Sequence, residues 1–125
     1  MTDTKEKADE FFERYASALL ARDEKVIAQM YAVPSLILFP GNSIVVDNAK
    51  QTEEFFATSW GQYEGVSEVQ KQIVIMGEAR HSVWADVTWS YGGEPHERFC
   101  YQLVEKDGRY QIAVLTPMAH QGKQS

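Results

Sequence analysis

The apolar residues of this 125-residue chain change period once, near Val66. Before that point they recur at helical spacing, and after it they alternate. Such a chain folds as helices followed by an antiparallel sheet of sequential strands, with one core where the apolar faces meet. The expected class is α+β, with three N-terminal helices packed on a curved antiparallel sheet. A cavity between the helices and the sheet follows from that layering.

In the helical half, Ala8, Phe12, Tyr15, Ala16, Leu19 and Leu20 make one stripe, and Thr2 or Thr4 can cap its start. Asp23 caps a second, short helix carrying Val26, Ile27, Met30 and Tyr31, and Pro34 is expected to end it. Ser35 to Phe39 and Ile44 to Val46 read as short strands around a Pro40-Gly41-Asn42 turn. Asn48 and Gln51 form a capping box for a third helix whose apolar face is Phe55, Phe56, Trp60 and Tyr63, ended by Gly61 and Gly65. In the alternating half, Val69 to Met76, His81 to Tyr91, Glu97 to Glu105 and Arg109 to Met118 read as strands. Gly92-Gly93 makes a two-residue turn, and Lys106-Asp107-Gly108 a three-residue loop with Gly108 left-handed.

Those two turns assign the faces. One face holds Val83, Ala85, Val87, Trp89, His96, Arg98, Cys100, Gln102, Val104, Tyr110, Ile112 and Val114, and is expected to meet the helices. The other holds Trp84, Asp86, Thr88, Phe99, Tyr101, Leu103, Ala113 and Leu115. It is too apolar to be bare, so a homodimer through Trp84, Phe99, Tyr101, Leu103 and Leu115 is expected. A slip of one residue in either turn would exchange the faces.

Composition bounds the function. The length suits one domain over residues 1–125, with its core at about 5–118. The net charge is -6 with the signs mixed, so no basic stripe exists for nucleic acid or for an anionic membrane. No apolar run reaches the length of a membrane span. Met1 to Glu10 is polar, and the single cysteine, Cys100, fits a reducing compartment, so a cytoplasmic protein without a secretory signal is expected. No His/Asp/Glu set has metal-ligand spacing, and neither a metal nor another cofactor is expected.

The order of elements resembles the nuclear transport factor 2-like superfamily, which includes SnoaL-like and ketosteroid isomerase-like proteins of cystatin-like fold. Residues 22–41, RDEKVIAQMYAVPSLILFPG, resemble its helix-two segment, and residues 103–115, LVEKDGRYQIAVL, its closing hairpin. Within it, Arg14-Tyr15 and IAQMYA at 27–32 are similar to ketosteroid isomerases. The resemblance implies an oxyanion-hole tyrosine at Tyr15 and a general-base aspartate just before Pro40. Phe39 stands there, and a phenyl ring accepts no proton. The second oxyanion acid would fall near Glu97, on the expected outer face. Isomerase activity of that kind is therefore not expected. Polyketide cyclase-like and scytalone dehydratase-like relatives use His/Asp pairs. His81 and His96 are the histidines expected within the fold, His120 lies in the tail, and no Asp is committed to His96.

The expected lining of a pocket for a small apolar or aromatic ligand is Tyr15, Met30, Phe39, Phe56, Trp60, Trp89, His96, Arg98, Gln102 and Val114. The first expectation is a homodimeric small-molecule binder. One alternative is a cyclase, dehydratase or hydrolase with His96 as acid/base and Arg98 or Tyr15 polarising an oxygen. Another is a structural or protein-association dimer with a filled pocket.

Overall fold

The computed structural model describes residues 3–39, 41–63, 65–66, 68–91 and 94–119. Expectations that rest on Thr2, Pro40, the Gly92-Gly93 turn, His120, the tail from Gln121, and the side chains of Tyr63 and His96 lie outside the described residues. The elements run α1 (Asp3–Ala21), α2 (Glu24–Gln29), β1 (Tyr31–Phe39), β2 (Asn42–Val46), α3 (Ala49–Ala57), a 3-10 turn (Trp60–Tyr63), β3 (Gln70–Glu78), β4 (Ser82–Tyr91), β5 (Glu94–Lys106) and β6 (Arg109–Pro117). All six strands form one sheet in the order β2-β1-β6-β5-β4-β3, with β1 and β6 parallel and the other neighbours antiparallel. This is the expected α+β architecture, helices on a sheet.

Local chemistry explains the helix ends. The Asp23 carboxylate accepts from the Val26 amide at 3.2 Å, and Asn48 and Gln51 complete the expected capping box. Pro34 does not terminate α2, which already ends at Gln29. It sits inside β1 where pairing with β6 is interrupted, between Tyr31↔Ile112 and Leu36↔Val114. A residue without an N–H is tolerated at such a gap in the ladder. The third helix stops at Ala57, short of the glycines, and Trp60 begins a separate turn.

The sheet faces differ from the expectation by one residue. Tyr91 pairs with Glu94 and Ser90 with Pro95, as a two-residue connection requires, but Trp89 then pairs with Glu97. His96 is the extra residue of a β-bulge, and every position beyond it changes face. At the other end the connection is Asp107-Gly108 alone, with Lys106 paired to Arg109. Both residues have positive φ, 56° and 78°, as a primed two-residue turn demands. The face toward the helices therefore holds Val83, Ala85, Val87, Trp89, Phe99, Tyr101, Leu103, Ile112 and Leu115. All but the half-buried Phe99 are buried.

The expected dimer face is thus corrected. Phe99, Tyr101, Leu103 and Leu115 belong to the core side, and of the set only Trp84 faces outward, with Asp86, Arg98, Cys100, Gln102 and Val114.

Gly108 offers a direct check on the turn. A Cβ there would meet no atom within 4 Å, so Gly108→Ala should cost only the left-handed backbone penalty, about 1–2 kcal/mol. Urea unfolding of the variant measures it. An unchanged midpoint would mean the turn does not hold Gly108 at positive φ.

Candidate functional site

The cone between helices and sheet holds a cavity of about 170 Å³ that opens at one end. Its floor is built from buried side chains that each layer contributes. These are Tyr15 and Leu19 from α1, Tyr31 and Ile37 from β1, Phe56 from α3, Trp89 from β4, Tyr101 from β5 and Leu115 from β6. Half-buried Phe39, Phe55, Ser59, Tyr91, Glu97 and Phe99 form the rim. The helical stripe aims Tyr15 and Leu19 inward one turn apart, and strand alternation does the same for Trp89, Glu97, Phe99 and Tyr101.

Buried aromatic polar atoms must find partners, and here several find one another. The Tyr15 and Tyr31 hydroxyls lie 2.8 Å apart. The Trp89 indole N–H donates to the Tyr101 hydroxyl at 3.0 Å. At the rim, the Tyr91 hydroxyl donates to Oε1 of Glu97 at 2.9 Å. The floor can therefore orient one ligand oxygen or nitrogen, while the walls offer aromatic and aliphatic surface.

Of the residues expected to line a pocket, Tyr15, Phe39, Phe56 and Trp89 do so. Met30 is buried but borders a separate cleft with Arg14, Lys106 and Arg109. Trp60 leans on Phe56 at 6.0 Å, and its indole donates to a Glu24 carboxylate oxygen at 3.0 Å. That hydrogen bond holds the Glu24 carboxyl below its ordinary pKa. Arg98, Gln102 and Val114 stand on the opposite face of the sheet because of the register shift. Arg98 forks onto Asp86, with Nε 2.9 Å from Oδ1, and a further N–H reaches the Ala119 carbonyl at 2.6 Å. It is occupied, and it cannot polarise an oxygen inside the cone. Asp86 and Arg98, expected on opposite faces, share the outer one. Cys100 lies on that face too, its thiol pKa pushed up by burial and then by the Asp86 carboxylate. His81 is exposed just before β4, not in the core.

The cavity residues missed from the sequence are Leu19, Tyr31, Ile37, Phe55, Ser59, Tyr91, Glu97, Phe99, Tyr101 and Leu115. Three of them, Glu97, Phe99 and Tyr101, were hidden by the extra residue at His96, and Leu115 by a second register shift in β6, where Leu103 pairs with Ile112 but Gln102 with Val114. Glu97, expected outside, is on the rim. Phe39 lines the cavity with its ring stacked on Phe55 at 6.3 Å, so the position expected for a general base carries only a hydrocarbon surface. Among the described residues no three His, Cys, Asp or Glu are grouped to hold a metal, and no helix is long and apolar enough to cross a membrane.

Comparison with known proteins agrees with this architecture. A family model described as NTF2-like protein (DUF6841) matches residues 5–120. An NTF2-like protein of unknown function from Shewanella oneidensis MR-1 superposes with TM-score 0.73 at 12% identity, covering 91% of this chain and 98% of that one. Aln2 from a Streptomyces species gives TM-score 0.67 at 14% identity over 94% and 91% of the two chains. A domain with a cystatin-like fold from Nostoc punctiforme gives 0.66 at 11% identity over 95% and 78%. At these identities the likeness is one of fold. No curated protein matches the sequence.

Proposed function

We propose, from the premise that the chain belongs to the NTF2-like family DUF6841, that it binds a small molecule whose buried part is a single ring or a group of that size. The observation that carries this reading is the aromatic-walled cavity of about 170 Å³. A cavity of roughly 150 Å³ accommodates benzene, whereas sites for drug-sized ligands span roughly 300–1,000 Å³. A fused polycyclic ligand would be buried in it only in part. The Tyr15–Tyr31 hydroxyl pair supplies a polar contact at the floor, so a ring bearing one hydroxyl or carbonyl suits the site better than a bare hydrocarbon.

Thermal shift and ligand-observed NMR with phenol and toluene test this. Phenol should bind more tightly, and Tyr15→Phe should weaken phenol by roughly tenfold while leaving toluene unchanged. Leu19→Trp, which fills the cavity, should abolish both. Failure of either probe to bind at millimolar concentration would refute the reading.

The homodimer is retained as a proposal, with a different surface. The outer sheet face presents Trp84 and Val114, together with Val45 (53% exposed), Val74 (51%) and, in the neighbouring bulge, Met76 (49%). Exposed apolar side chains spread over one face suit a second copy of this chain. Light scattering should report a dimer, and Val74→Glu should shift it toward monomer. A strict monomer for the unaltered protein would end the proposal.

A further inference from the structure

We infer that the cavity selects an organic cation, a methylated or quaternary ammonium group or a small protonated amine. This inference rests on the small-molecule reading above and narrows its ligand class. Nine of the fourteen described lining residues are aromatic, none is a cation, and the only charged one is Glu97. Tyr and Trp faces carry the negative lobe of the ring quadrupole and attract cations within about 6 Å. The floor rings are mutually tilted: Tyr15 meets Tyr31 at 50°, Trp89 at 40° and Tyr101 at 73°. Tilted rings surround a group from several directions, as a cage does, where parallel ones would admit only a flat guest.

The carboxylate sits where such a cage needs its counter-charge. Oε1 of Glu97 is held by Tyr91, and Oε2 accepts no hydrogen bond among the described residues. Arg98, the next residue, does not neutralise it. Strand alternation turns Arg98 to the far face, where Asp86 holds it. The two opposite charges of Glu97-Arg98 are thus sorted to opposite sides of the sheet, leaving the cavity side negative. The whole chain, at net charge -6, biases encounters the same way. An anionic ligand would meet the carboxylate with no described cation in the lining to offset it.

Choline and its neutral isostere 3,3-dimethylbutan-1-ol separate charge from shape, since they differ only in nitrogen for carbon at the branched centre. Calorimetric titration of the unaltered protein should show choline binding about tenfold more tightly or better. Glu97→Gln should remove most of that preference, and Glu68→Gln, which removes an exposed carboxylate outside the lining, should retain it. Equal binding of the two probes would overturn cation selection while leaving the ring-sized cavity reading intact. A preference undiminished in Glu97→Gln would overturn the role of the carboxylate. Binding of neither probe, nor of phenol, would overturn both the inference and the reading beneath it. The comparison in the unaltered protein stands whether or not either variant folds.

Discussion

Phe12→Ala should destabilise the protein by about 3–5 kcal/mol, the usual result of truncating a fully buried phenylalanine. Phe12 has no exposed surface. Its ring centroid lies 5.1 Å from Phe11, 4.9 Å from Tyr101 and 6.3 Å from both Tyr15 and Trp89. It therefore joins α1 to the centre of the sheet and buttresses three residues of the cavity floor. A domain of this kind has a total stability of about 5–15 kcal/mol, so the variant should be marginal, with Tm lower by roughly 10–20 °C. Calorimetry and urea unfolding measure it. A loss under about 1 kcal/mol would mean α1 is not seated on the sheet as described.

The second large effect concerns the sheet register. Leu103→Asp should abolish folding, because a buried unpaired carboxylate costs several kcal/mol even after relaxation. The adjacent Gln102→Asp should cost less than about 1 kcal/mol, since surface changes on a half-exposed outer face are usually small. Leu103 is wholly buried and Gln102 half-buried on opposite faces. Circular dichroism of the two variants side by side reads the register directly. The face assignment drawn from turn lengths alone predicts the reverse order.

That reversal shows what the residues do and do not encode. Alternation in β4 and β5 was legible because polar and apolar side chains take turns along both strands. The capping box at Asn48 and Gln51 and the left-handed Gly108 were legible because each is a local requirement. The phase of one strand against the next was not. It depends on Glu97 rather than His96 opposing Trp89, and Pro95 hints at a bulge there without fixing which residue is extra. Asp107 at positive φ was equally hidden, since Asp tolerates both conformations and so does not decide between a two- and a three-residue loop. One residue of phase, at His96, moved Arg98 out of the site and Glu97 into it. The candidate chemistry changed from a cationic clamp to a single carboxylate among rings. Tyr15, Phe39, Phe56 and Trp89 survived because their inward placement follows from the helices, from β1 and from β4, none of which depends on either turn.

The strand order leaves β3 and β2 at the two ends of the sheet, each with one row of backbone groups not engaged by a neighbouring strand. Such a row is a template for another molecule's strand, and β3 adds exposed Val74 and Met76 to the hazard. The register break between Ile75 and Gly77 answers it. A bulged, bent edge offers only short stretches of straight ladder, and Lys71 and Glu78 set charges near its two ends. The irregularity at Met76 thereby works against fibrillar growth, and restoring regular alternation by deleting Met76 would make this edge more prone to stack.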